Sequence, residues 1–304
     1  MLCGNIGRGW LSRRTFIRIK REYYGSEKKN DYSAITESPG IRATREQVQR
    51  LYQRYRFARD FAHSKDVMEV ACGSGLGLGY LASVAKSVAG IDIDEKNIAL
   101  AREHYCLPLI ANRSPQTANR KPLNVRRPIH VALMDAHKLE FPNGASDLVI
   151  LFEAIYYLFS PEKFTAEAAR VLREDGTLII GMVNKDWKDF HPSPYTHKYF
   201  SIPELKSLLE PHFKDIMFYA GFPAGKKGLK DNVISLIKRA ALKVNLIPGS
   251  LEARAYLKRI FIGKLVPLPD EITEGMAPYE EPVEISCNRP CRDYKITYAV
   301  ATKK

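Results

Sequence analysis

The sequence predicts a doubly wound α/β fold built on a mostly parallel sheet of seven strands. Three observations predict it. Short apolar runs alternate with amphipathic stretches between residues 66 and 183. One run, residues 147–152 (DLVILF), is apolar almost throughout, as strands covered on both faces are. The first run, residues 66–71, passes into Cys72-Gly73-Ser74-Gly75-Leu76-Gly77, a glycine-rich turn that opens a helix.

Each element has its own signal. Residues 46–63 carry Val48, Leu51, Tyr55, Ala58 and Ala62 at a spacing near 3.6, an amphipathic helix. Residues 66–71 (DVMEVA) are the first strand, 80–87 a helix rich in Ala and Leu, 87–93 (SVAGIDI) the second strand and 97–105 the next helix. Residues 108–128 are polar, basic and proline-containing, an extended loop. Residues 129–134 and 147–152 are the third and fourth strands. Residues 161–172 form a helix with Pro161 suited to its first turn. Glu174-Asp175-Gly176 is a turn and 177–183 (TLIIGMV) the fifth strand. Beyond it, 184–200 is rich in Pro, His and aromatic residues, 203–209 is a short helix and 214–219 the sixth strand. Residues 294–301 (YKITYAVA) alternate as the seventh.

Four regions follow: a basic N-terminal arm and lid at 1–45, a core at 46–222, a basic helical insertion over the crevice at 223–290, and the last core strand at 291–304. The insertion is expected to hold helices at 231–245 and 251–263, then a Pro- and acid-rich stretch. Between Lys226 and Lys264 it carries ten Lys or Arg and two acids. Two readings are open for it: a solvated cover on the mouth of the site, or a basic amphipathic face on an anionic membrane.

Composition narrows the class. Of 304 residues, 45% are hydrophobic and 27% charged, which is globular composition. The longest apolar candidate, 148–159, is shorter than a membrane span and contains Glu153. Residues 1–21 are basic without an acid, but lack the apolar centre of a secretory signal. Five cysteines at irregular spacing argue against a disulfide framework and for a reducing, cytoplasmic setting. Cys287 and Cys291 have no second pair to complete a zinc site, so no metal is expected. The net charge of +13 allows nucleic acid, an anionic membrane, an acidic substrate or solubility alone.

The glycine turn argues against a nucleotide-phosphate reading. A dinucleotide site needs G-x-G-x-x-G, but Leu78 follows Gly75 by three and Tyr80 follows Gly77 by three. There is no G-x-x-x-x-G-K-[ST] loop either. The motifs instead resemble those of the class I S-adenosylmethionine-dependent methyltransferases. Glu69, Gly73 and Gly75 match the acid and G-x-G of the first motif, with Ala71 where that family often has glycine. Ala89-Gly90-Ile91-Asp92-Ile93-Asp94 matches at the end of the second strand, with Asp92 lying 17 residues after Gly75. Met134-Asp135-Ala136 matches after the third strand, and 147–153 after the fourth. The resemblance covers residues 65–183 well and the last strand loosely.

The resemblance implies S-adenosylmethionine as cofactor, S-adenosylhomocysteine as product, and a donor site made of Glu69, Ala71, Gly73, Gly75, Asp92, Ile93, Asp135, Ala136 and Phe152. Asp92 would accept from both ribose hydroxyls, since a carboxylate has two oxygens for two neighbouring donors. Ile93 would flank the adenine, and Asp135 would accept from its amine. Bland alternatives exist: Glu69 as a helix cap, Asp92 as a turn residue, Asp135 as an N-cap, and Cys72 as small packing. For proton transfer the candidates are Glu153, just past the fourth strand, and His191 and His197 in the loop after the fifth; Tyr195 lies in the same loop. Tyr23, Tyr24 and Tyr32 would belong to the lid.

The tetrapeptide Asp/Asn-Pro-Pro-Tyr/Phe of base-amine methyltransferases is absent after the fourth strand; Leu151-Phe152-Glu153-Ala154 stands there. A nucleic-acid substrate is therefore disfavoured. The expectation is methyl transfer to a small molecule or glycan, with oxygen the favoured atom and peripheral contact with an anionic membrane through the basic helices. The rivals are a non-catalytic binding or scaffold protein of the same fold, and a nicotinamide-dependent oxidoreductase.

Overall fold

The computed structural model describes residues 36–105, 128–193, 195–224 and 265–304. The arm with Tyr23, Tyr24 and Tyr32, the loop at 106–127 and both basic helices of the insertion lie outside the described residues. The strands are β1 (Arg42–Ala43), β2 (Asp66–Val70), β3 (Ser87–Asp92), β4 (Ile129–Leu133), β5 (Ser146–Phe152), β6 (Leu172–Val183), β7 (Phe213–Pro223), β8 (Val266–Pro267), β9 (Val283–Ile285) and β10 (Tyr294–Lys303). The helices are α1 (Arg45–Ala62), α2 (Leu78–Ala82), α3 (Glu95–Tyr105), α4 (Pro161–Val171) and α5 (Ile202–Leu209).

The main sheet has the order β4-β3-β2-β5-β6-β10-β7-β9. Strands β2 to β6 pair in parallel, and β10 lies antiparallel between β6 and β7. Seven of these strands are the seven expected. The eighth, β9, comes from the stretch assigned to the insertion and pairs antiparallel with β7 through Val283↔Ala220, Tyr219↔Glu284 and Phe218↔Ile285. Three residues are too few to show an alternation in sequence. The turn expected at 174–176 is an irregularity within β6, where Asp175 takes a φ of 58°.

Leu148, Val149, Ile150 and Leu151 in β5 are all fully buried, as the continuous apolar run required. Side chains that alternate along each strand separate two cores. Val67, Leu148 and Ile150 face one, with Leu51 and Tyr55 of α1; Met68, Val149 and Leu151 face the other, with Phe164 of α4. Complete burial of each such aliphatic side chain is worth about 1.5–3 kcal/mol.

Local chemistry sets the ends of the helices. Thr44 Oγ1 accepts from the Gln47 N–H at 3.1 Å, and Gln47 Oε1 accepts from the Thr44 N–H at 2.8 Å, a reciprocal cap that starts α1. Ser201 and Glu204 do the same for α5. Residues 265–290 return to the core. β8 pairs with β1, the Ile272 N–H donates to the Leu76 carbonyl at 2.9 Å, and Glu274 accepts from Tyr52 and Tyr80 at 2.7 and 2.8 Å.

One glycine contact is decisive for the site. A Cβ at Gly77 would stand 1.9 Å from Tyr55 Cε1. Gly77→Ala should therefore drive Tyr55 aside and cost about 1–3 kcal/mol of stability through overpacking, read as a lower urea midpoint. A midpoint equal to wild type would mean that α1 shifts freely.

Candidate active site

The carboxyl ends of β2, β3, β5 and β6 open onto one cavity of about 300 Å³, closed from above by α1. A parallel sheet whose strand order reverses beside its first strand leaves a crevice there for a ligand. Glu69, Ala71, Gly73, Asp92, Ile93, Phe152 and Glu153 all line it, as expected from sequence. Gly75 does not line it; a Cβ there would meet Ala101, Leu78 and Tyr105. Gly73 and Gly75 take φ values of 57° and 81°, and Ala71 takes 57°. Positive φ suits glycine, so Ala71 holds this bend with a methyl group in place of freedom. That is the physical content of its departure from the family pattern.

Glu69 is 1% exposed. Tyr55 Oη donates to its Oε1 at 2.5 Å, while Oε2 is buried without a hydrogen-bond partner. Burial pushes its carboxyl up to about 7, against the Tyr55 hydrogen bond and the Arg54 charge that pull it down. Asp92 is also buried. Its Oδ2 accepts from the Gly73 N–H at 2.9 Å and its Oδ1 from the Asp94 N–H at 2.8 Å. Burial raises its carboxyl above the usual range, and those two backbone donors offset part of that. Asn97 Nδ2 also donates to Oδ1 at 3.5 Å, so it is Oδ2 that keeps a lone pair for a ligand.

Sequence reasoning missed Asn97. Its Nδ2 donates to Thr36 Oγ1 at 3.2 Å, while its Oδ1 is a buried acceptor without a partner, and it lines the same cavity. A polar residue at helical position 97, facing the strand end that carries Asp92, was the available signal.

Asp135 and Ala136 are buried but do not line this cavity. Asp135 Oδ1 accepts from the His137 backbone N–H at 2.9 Å and from His137 Nδ1 at 2.6 Å. The Ser160 N–H donates to His137 Nε2 at 3.2 Å, which places the ring proton on Nδ1. Burial raises the Asp135 carboxyl, but the His137 hydrogen bonds outweigh it and leave the group below its usual value. Of the three carboxylates, two thus line the cavity and Asp135 does not.

Glu153 follows β5 at a φ of 53°, a strained conformation for a residue with a Cβ. Its N–H donates to the Gly181 carbonyl at 2.8 Å, and Tyr156 Oη donates to its Oε2 at 2.6 Å. Burial raises its carboxyl, with Arg54 and the Tyr156 hydrogen bond pulling the other way. The two histidines are elsewhere. His191 and His197 are exposed and line no part of the cavity; the His197 ring stands edge-on to Phe159. Tyr195 is exposed as well. Cys72 is buried, and burial raises its thiol well above the usual range, which suits packing and not nucleophilic attack. Among the described residues no cluster of His, Cys, Asp and Glu could hold a metal, and no helix is long and apolar enough to cross a membrane.

A methyltransferase-domain family model matches residues 68–180, which span β2 to β6 and all of the glycine turn. A probable S-adenosylmethionine-dependent methyltransferase of Mycobacterium tuberculosis is 29% identical over 150 residues, 48% of this chain and 47% of that protein. A phosphatidylethanolamine N-methyltransferase of Cereibacter sphaeroides is 32% identical over 114 residues, 38% of this chain and 48% of that protein. The chain thus spans about half the length of the curated relatives it matches. A Thermotoga maritima S-adenosylmethionine-dependent methyltransferase, described as a possible histamine N-methyltransferase, has the same fold with a TM-score of 0.51 at 17% identity, covering 85% of this chain and 92% of that one. The glycine bend, the unpartnered oxygen of Glu69 and the Asp92 carboxylate fit an adenosyl donor with a cationic amino-acid tail. Residues 68–180 thus form a methyltransferase domain similar to those of the class I S-adenosylmethionine-dependent methyltransferases, whose cofactor is S-adenosylmethionine.

Proposed function

We propose that the chain transfers a methyl group from S-adenosylmethionine to a hydroxyl of a small-molecule or glycan acceptor. The observation that carries this reading is the shared cavity. Glu69, Asp92, Glu153 and Tyr156 all line it, so a donor and an acceptor can share one space. Bound there, the cofactor supplies an electrophilic methyl on a sulfonium. Everything else is positioning and proton handling by this chain. Glu69 offers its free oxygen to the ammonium of the donor's tail. Asp92 and Asn97 offer acceptors to the ribose hydroxyls, and Ile93 offers an apolar edge to the adenine. Gly73, Gly75 and Phe152 shape the bend.

Oxygen is favoured because a carboxylate suited to act as a base, Glu153, lines the cavity. A hydroxyl must lose its proton as it is methylated, and Glu153 has its carboxyl raised toward the working range of a base. Tyr156 fixes that carboxylate through one oxygen and leaves the other for the acceptor. The exposed positions of His191 and His197 favour Glu153 over either histidine in this role. Contact with an anionic membrane through the basic insertion fits the charge of +13 and would suit an acceptor attached to lipid.

Calorimetric titration with S-adenosylhomocysteine and with NAD tests the donor. Binding of the first alone is expected. Asp92→Ala should weaken it by about 1.5–3 kcal/mol, the worth of a hydrogen bond to a charged group. Unchanged affinity would remove Asp92 from the ribose role. Turnover on a panel of sugars and phenols with labelled donor tests the reaction. Donor binding with no methylation of any acceptor would favour the scaffold reading.

A further inference from the structure

The donor's tail carries an α-carboxylate as well as an ammonium, and the acids lining the cavity, Glu37, Glu69, Asp92 and Glu153, outnumber its cations. The cations on its described wall are Arg50 and Arg54. Arg50 pairs with Glu46 and lies over the Phe222 ring, 5.5 Å from its centroid. Arg54 is the more buried, at 8% exposure, and it adjoins Tyr55, which holds Glu69. Its Nε has no acceptor. One carboxylate already occupies its guanidinium, that of Glu37.

Glu37 comes from the segment that leads into β1 and lies on the glycine turn. Ser74 Oγ donates to the Glu37 carbonyl at 3.2 Å, and a Cβ at Gly73 would meet Thr36 Cγ2 at 2.8 Å. The Glu37 side chain is 36% exposed, so it can turn to water without burying a charge.

We propose that Arg54 receives the α-carboxylate of the donor, and that Glu37 is a built-in competitor which this carboxylate displaces. The proposal rests on the donor reading of the cavity. The exchange conserves charge: one carboxylate leaves the guanidinium as another arrives, and Arg54 stays paired. Glu37 then lowers the apparent affinity by the fraction of molecules in which it holds Arg54. Its release also frees the segment over Gly73, so the donor carboxylate loosens the cover on its own glycine turn.

The test compares two ligands on the full chain by calorimetry. S-adenosylhomocysteine has the carboxylate and no sulfonium charge; 5′-methylthioadenosine lacks the amino-acid tail. Glu37→Gln should tighten S-adenosylhomocysteine about fivefold and leave methylthioadenosine within about twofold. Arg54→Gln should weaken S-adenosylhomocysteine about tenfold or more, again without moving methylthioadenosine. Weaker or unchanged S-adenosylhomocysteine binding in Glu37→Gln overturns the proposal, because Glu37 would then hold the ammonium or nothing. Equal loss of both ligands in Arg54→Gln overturns it too. If Arg54→Gln does not fold, the Glu37 variant decides. Wild type that binds S-adenosylhomocysteine and methylthioadenosine equally well defeats the carboxylate site alone, whereas wild type that binds neither defeats the donor reading itself.

Discussion

Glu69→Gln should make the protein more stable above neutral pH and poorer at holding its donor. The Glu69 carboxyl is pushed from 4.5 to about 7 by burial. Between those values the folded chain holds a proton that the unfolded chain has released. Stability therefore falls as pH climbs from about 4.5 to 7, and the whole cost is present above 7. A shift of this size corresponds to roughly 3 kcal/mol. Glutamine has no charge to desolvate, and its carbonyl still accepts from Tyr55. The difference in unfolding free energy between variant and wild type should thus be small at pH 4.5 and grow toward pH 8. Urea unfolding at both values measures it.

Donor binding should show the opposite preference. A cationic ammonium next to the free Glu69 oxygen favours the ionised carboxylate, so wild-type affinity for S-adenosylhomocysteine should rise with pH through about 7. Glu69→Gln should bind more weakly and lack that rise. Parallel pH profiles in the two proteins would show that Glu69 stays un-ionised with ligand bound, and would end its role at the ammonium. A buried acid that costs stability for the sake of a ligand is common at functional sites.

The frame of the molecule was legible because its strands are long and buried on both faces. Residues 147–152 could hide only inside a parallel sheet, and β5 lies at its centre. The glycine turn and the place of Asp92 at the cavity were legible because these residues sit at fixed offsets from strand ends. Asp135 shows where such offsets stop. Its place after β4 follows from sequence, but the hydrogen bonds from His137 that turn it aside depend on Ser160, 25 residues away. β9 was invisible because three residues carry no period. Arg54 and Glu37 were invisible for another reason. A polar residue on the buried face of α1 breaks the amphipathic pattern, and its partner lies on a segment with no pattern at all. Their pairing is a tertiary fact, formed where the N-terminal segment crosses the glycine turn.

The largest effect on turnover is expected at Glu153. Glu153→Gln keeps the side-chain shape, the Tyr156 hydrogen bond through the amide oxygen, and the backbone at φ of 53°. It removes only the ability to take a proton. If the acceptor is a hydroxyl, kcat should fall by about 10²–10⁴, the usual worth of a general base, with KM and donor affinity little changed. The wild-type profile should rise with pH through a value above the ordinary carboxylate range, because burial raises the Glu153 carboxyl, and the variant should lose that limb. A wild-type rate in the variant would mean that the acceptor needs no base, which is the behaviour of an amine already deprotonated or of an ionised phenol. The strained backbone at 153 then needs another explanation, since strain of this kind costs about 1–3 kcal/mol and persists where the surrounding structure holds a side chain to a task. The pair Glu153→Gln and Glu153→Gly separates the two. Glycine should relieve the strain and raise the melting temperature while abolishing activity as glutamine does; gain of stability with activity retained would leave Glu153 outside the chemistry.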